Sequence, residues 1–181
     1  VASACTAGKT VYTLTQSRFT IHDAHPAAQT WIIPVVAGGP GLATHKLVLG
    51  KTPQTLSVVG CDAPLKLNLG ESGYYRVQYT APVFASLLKN AVHFTPVDRA
   101  NLLGDQFALF RSGQAPLSTY MDLADRLLSV HESDIAVLQE ITSTFEVLDQ
   151  YLKGSPDRAA FRAYARKQLT PVLARLGWDQ K

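Results

Sequence analysis

The groups in this sequence best able to do chemistry are five histidines, His22, His25, His45, His93 and His131, fourteen carboxylates, and two cysteines, Cys5 and Cys61. A helical zinc site of the hydrolytic kind needs two His four residues apart with a Glu beside the first, so that both imidazoles face one ion. His131-Glu132-Ser133-Asp134-Ile135 begins that way, but Ile135 stands where the second ligand must be. Ser133 also reads as a helix cap, which puts the pair in a loop. His22-Asp23-Ala24-His25 could clip an ion within a loop, but a polar turn is the simpler reading. Two cysteines so far apart are not a structural zinc site, which takes four ligands from closely spaced pairs. They read either as two buried thiols or as one disulfide across the N-terminal part. A pair would suit a periplasmic or secreted protein, and two thiols a cytoplasmic one.

Other chemistries fare no better. The chain contains no Gly-x-Ser-x-Gly elbow, and its Ser residues fall in caps and turns. Ala37-Gly38-Gly39-Pro40-Gly41 lacks the Lys-Ser/Thr that reaches a phosphate, and Pro40 removes a cradling N–H, so a hairpin tip is expected. Asp122 and Asp125 share a polar helix face and read as solvated surface. Trp31, Phe19, Tyr74, Tyr75 and Tyr79 could line a sugar or peptide groove, but packing within and between units is the stronger reading. Arg76 shares a face with Tyr74 and Gln78, and could pair with an acid at an interface or lie along the sheet. The residues by themselves therefore assign no catalytic group, no metal ligand and no binding residue.

Two kinds of element must position these groups. At 181 residues, 46% hydrophobic and 17% charged, the chain is long enough to bury a real core. A net charge of +3 with scattered basic residues makes no nucleic-acid footprint. No apolar run approaches the roughly 18 residues of a membrane span. Residues 1–79 are short alternating or β-branched runs, namely 12–16, 18–21, 30–36, 44–49, 54–59, 65–69 and 74–79, separated by Gly and Pro turns. About seven strands at this spacing predict an antiparallel β-sandwich, with Pro34 marking an edge strand or a bulge. In the last run Tyr75, Val77 and Tyr79 share one face, and Tyr74, Arg76 and Gln78 the other.

From Thr80 the period changes. Thr80 with Pro82, Thr95-Pro96-Val97-Asp98, Pro116-Leu117-Ser118, Ser133, and Ser155-Pro156-Asp157 each open a helix, and Pro171 is expected to kink the fifth. Five helices with short loops predict antiparallel neighbours stacked as the start of an α-solenoid. The fold class is thus α+β in two segregated units: a β-sandwich domain over 1–79 and an all-α array over 80–181. Because the fifth helix has no partner helix and the sequence opens on Val1, the expectation is a truncated array in a mature piece or excised fragment.

Several ordered blocks carry a resemblance. They are Thr13-Leu14-Thr15-Gln16-Ser17-Arg18-Phe19, Trp31-Ile32-Ile33-Pro34-Val35, Asn68-Leu69-Gly70-Glu71-Ser72-Gly73-Tyr74-Tyr75-Arg76-Val77-Gln78-Tyr79, Asp98 through Asp105, Phe107-Ala108-Leu109, and Tyr164-Ala165-Arg166 through Leu176-Gly177-Trp178. Together they make the chain similar, over essentially its whole length, to the region after the catalytic domain in zinc aminopeptidases of the aminopeptidase N and puromycin-sensitive type.

The resemblance implies a small β-sandwich followed by a right-handed helical superhelix that closes over a thermolysin-like catalytic domain and bounds the substrate chamber. It also implies that the family's His-Glu-x-x-His zinc motif and Gly-x-Met-Glu-Asn motif belong to that catalytic domain. Neither occurs here, where the single Met is Met121. No cofactor is therefore expected in this chain. Zinc is implied for the parent enzyme, and the partners implied are the parent's catalytic domain and its peptide substrate. The competing reading is a free-standing module that binds a peptide or protein.

Overall fold

A computed structural model describes residues 1–23 and 25–177. Ala24 of the His22–His25 turn and Trp178 of the last motif block lie outside the described residues. The N-terminal part forms two antiparallel sheets of three strands each. One has the order β1 (Ala2–Thr6), β2 (Lys9–Leu14), β5 (Gln54–Val59), and the other β4 (His45–Leu49), β3 (Ile33–Gly38), β6 (Lys66–Leu67). Tyr12, Leu14 and Val58 of the first sheet share a core with Val35, Ala37, Leu49 and Leu67 of the second, so the two sheets pack face to face.

Four expectations about the strands need correcting. Residues 18–21 are not a strand. The 65–69 run keeps only a two-residue strand, because Asn68 turns left-handed at φ 56° and ends the pairing. Pro34 lies in the central strand of its sheet, not in an edge strand. It is tolerated there because β6 pairs β3 only at Ala37 and Gly38, so Pro34, opposite Val48, has one neighbouring strand. Finally, residues 74–79 are extended but join no ladder. Their alternation is nonetheless as expected: Val77 is buried, Tyr75 and Tyr79 half-buried, and Tyr74, Arg76 and Gln78 exposed.

Cys5 and Cys61 are joined in a disulfide, with Cα atoms 5.5 Å apart. The glycine-rich turn is held close to the sandwich, since a Cβ on Gly39 would lie 2.0 Å from the Pro64 carbonyl oxygen.

The helices are α1 (Ala81–Asn90), α2 (Pro96–Arg111), α3 (Leu117–Ser129), α4 (Ile135–Tyr151) and α5 (Arg158–Leu176). Thr95 caps α2 by accepting from the Asp98 amide. The cap of α4 is Asp134, whose carboxylate accepts from the Ala136 and Val137 amides, and not Ser133. A carboxylate beside the exposed first-turn amides also meets the positive end of the helix dipole, an advantage a hydroxyl lacks. Ile135, the first residue of α4, is 79% exposed. The fifth helix runs on through Pro171.

A second core gathers Phe84, Leu87, Leu102, Leu103, Leu123, Leu127, Ile141 and Leu148 from α1 to α4. Two residues knit the cores together. Val83 of α1 lies in the sheet core one position before Phe84 in the helical core, and Tyr79 packs against both.

Candidate functional site

The join between the sheets and the helices concentrates the buried polar chemistry of the molecule. It is built from β6, the turn after it, the extended 74–79 segment and one face of α2. Along α2, Asp98, Asn101 and Asp105 recur at three- and four-residue spacing, which places them on one face of the helix, and all three are buried. Opposite stands Lys66 of β6, 0% exposed. Its Nζ donates to the Leu67 carbonyl at 3.2 Å, the Asn68 carbonyl at 2.9 Å and Asn101 Oδ1 at 2.7 Å, and pairs with Asp98 Oδ1 at 3.1 Å. Burial pulls the Lys66 ammonium below its ordinary pKa, and Asp98 opposes that pull. Asp98 also accepts from the Gly70 amide at 2.7 Å and the Thr95 hydroxyl at 2.6 Å, so one carboxylate serves a sheet, a turn and a helix cap.

A second clamp holds the extended segment. Asp105 Oδ2 accepts from the Val77 amide at 3.0 Å and Oδ1 from Arg76 Nη1 at 3.1 Å. Burial pushes the Asp105 carboxyl up to about 6, against the opposing pull of the Val77 N–H and the Arg76 guanidinium. Asn68 donates to the Gly73 and Tyr75 carbonyls and accepts from the Gly73 amide. The Tyr79 hydroxyl accepts from the Leu67 amide at 3.0 Å. At the far end the Val1 ammonium donates to the Gln78 carbonyl and the Thr80 amide to the Val1 carbonyl. Side chains of α2 and of the β6 turn thus do for residues 74–79 what a neighbouring strand would otherwise do.

Chemically this is a fastening. Lys66, Asp98 and Asp105 each direct several hydrogen bonds to other parts of the chain. Its exposed rim is the row of Tyr74, Arg76 and Gln78. The Arg76 side chain is 43% exposed, and a Cβ at Gly104 would sit 3.5 Å from both Arg76 Nη1 and Glu140 Oε1.

The residues weighed from sequence fall elsewhere. His131 sits in the turn before α4 with φ 62°. Glu132 takes a two-pronged contact from Arg99 at 2.7 and 2.8 Å and accepts from the Ser133 and Asp134 amides. A carboxylate so occupied does not fit a zinc ligand or a general base. Asp125 is not merely solvated: the Tyr164 hydroxyl of α5 donates to it and ties α3 to α5. Among the described residues no group of three or more His, Cys, Asp or Glu is gathered as metal ligands would be.

Sequence reasoning considered Arg76 but passed over Lys66, Asp98, Asn101 and Asp105 as site residues. The signal was present as a polar row at positions 98, 101 and 105 within a helix whose Leu102, Leu103 and Leu109 also demand burial.

Comparison with known proteins places this architecture. The family model for the ERAP1-like C-terminal domain matches residues 64–181, a span that begins just before Lys66. Tricorn protease-interacting factor F2 of Thermoplasma volcanium is 29% identical over 169 residues, covering 93% of this chain and 20% of that protein. Aminopeptidase M1-C of Oryza sativa is 29% identical over 183 aligned residues, covering 93% and 20%. Glutamyl aminopeptidase of Rattus norvegicus is 27% identical, covering 92% and 19%. The chain spans about a fifth of the length of the relatives it matches.

Proposed function

This chain belongs to the ERAP1-like C-terminal domain family and is an aminopeptidase C-terminal segment, and we propose that it is the non-catalytic part that supports and bounds the substrate chamber of a zinc aminopeptidase. The parent enzyme would remove residues from peptide N-termini with zinc held in its own catalytic domain, which is the partner of this segment. Similarity to aminopeptidases over more than nine-tenths of the chain carries the reading. The join supports it: the buried Lys66–Asp98 pair and the hold of Asp105 on Val77 and Arg76 fasten the sheet side to α2, and rigidity is what a chamber boundary needs. We divide the units at 79/80, where the extended segment ends and α1 begins.

Among the described residues no group of three or more His, Cys, Asp or Glu is gathered to hold the zinc, and the His131–Glu132 pair has Ile135 at the second-ligand position with its carboxylate taken by Arg99. The Cys5–Cys61 disulfide favours a parent that works in an oxidising compartment.

A panel of fluorogenic aminoacyl amides, with added zinc and a chelator control, tests the reading on the purified chain. The expected result is no turnover by a folded protein. Chelator-sensitive hydrolysis would place a metal site in this chain and overturn the assignment.

A further inference from the structure

We propose that the Cys5–Cys61 disulfide is a redox-sensitive clasp that sets how firmly the start of α1 is held against the sheets. The disulfide closes a ring of contacts between β1, α1 and the loop after β5. Cys5 lies in β1, and the residue before that strand bonds the helix: the Thr80 amide, at the cap of α1, donates to the Val1 carbonyl at 2.9 Å. Further along the same helix, the Ser86 hydroxyl donates to the Asp62 carbonyl at 2.5 Å. Asp62 follows Cys61, and Cys61 returns to Cys5 through the disulfide. Every member of the ring belongs to this chain, so the inference does not depend on the aminopeptidase reading.

The disulfide is the link that chemistry can open. β1 is an edge strand, and all five of its residues are exposed, so little apolar burial holds it in place. Cys5 and Cys61 are themselves exposed, within reach of a dithiol. In the step, a thiolate of the dithiol attacks one sulfur and displaces the other as a thiolate, and the reagent's second thiol then releases the mixed disulfide. The protein gains two electrons and two protons as two thiols, and the dithiol leaves as its own disulfide. Each half of the ring keeps other contacts. β1 retains its ladder to β2, and the loop after β5 retains the bonds from the Thr10 hydroxyl to the Gly60 carbonyl and from the Tyr12 hydroxyl to the Ala63 carbonyl. Val83 stays in the sheet core, so α1 remains docked. What is lost is the coupling between the halves, and the Val1–Thr80 bond then rests on a strand held by its ladder alone.

Amide hydrogen exchange followed by NMR on the 181-residue chain, oxidised and treated with dithiothreitol, tests this. In native buffer the reagent should open the disulfide, seen as alkylation of both thiols, with the helical circular dichroism unchanged. The Thr80 amide should then exchange faster by about tenfold or more, while the amides of α2 to α4 keep their rates. Reoxidation should restore the protection. Cys5→Ser with Cys61→Ser should exchange like the reduced chain and ignore the reagent. Ser86→Ala breaks the ring at its hydrogen bond, so on that background reduction should accelerate Thr80 by a much smaller factor. A disulfide that opens only in denaturant, loss of the helical signal on reduction, an unchanged Thr80 rate, or a full reduction effect in Ser86→Ala would overturn the proposal.

Discussion

The Asp105 carboxylate holds the backbone of Val77 at 3.0 Å, linking the middle of α2 to the middle of an extended segment twenty-eight residues earlier in the chain. The same carboxylate takes the Arg76 side chain, so one buried acid fixes both the backbone and a side chain of the segment that joins sheets to helices. Its titration should be visible in stability. The unfolded carboxyl gives up its proton near 3.8, the folded one at about 6. Between these values the folded chain holds a proton that the unfolded chain has lost, so stability from this group is fully present below about pH 4 and is lost by about pH 6. Urea unfolding of wild type and Asp105→Asn should show the difference between them shifting by about 2–3 kcal/mol across that window. A difference flat with pH would mean that Asp105 does not titrate there.

Lys66 gives a sharper test of the join. Lys66→Ala strands the Asp98 carboxylate in a buried site and should cost about 3–5 kcal/mol. Pairing Lys66→Met with Asp98→Asn removes both charges together and should recover a substantial part of that loss. Chemical denaturation of the three proteins decides it, and a double variant as weak as Lys66→Ala would rule out the buried charge as the cause.

The disulfide closes a separation of 56 residues. Loop-closure entropy then predicts that Cys5→Ser with Cys61→Ser costs about 4 kcal/mol. Because the sheet and helical cores are distinct clusters, thermal melts should show the β signal lost first, with helical ellipticity persisting. Coincident loss of both signals would mean that the join couples the units into one folding transition.

At α4 the cap assignment is directly testable. Asp134→Ala should cost about 1 kcal/mol, as N-cap removals do. Ser133→Ala should stay within about 0.5 kcal/mol, as surface changes do. The reverse order, read from urea midpoints, would restore Ser133 as the cap.

The sequence by itself determined the segregation of β and α units, because a period of two and a period of 3.6 report directly which residues must leave water. It determined the helix starts at Ala81, Pro96 and Leu117, where proline or threonine chemistry acts within a few residues. It also determined which of Tyr74 to Tyr79 face inward. Tertiary structure alone decided what those inward faces meet. Alternation records burial, not the partner of the backbone, so residues 74–79 read as a strand although side chains hold them where a ladder would. Pairings such as Lys66 with Asn101 and Val77 with Asp105 span 35 and 28 residues. No local propensity carries information over that distance. Asp98 could be read from sequence as a helix-opening acid, but its hold on Gly70 and Lys66 exists only once α2 lies against the turn after β6. For the same reason two cysteines could be counted but not paired until the fold brought their Cα atoms to 5.5 Å.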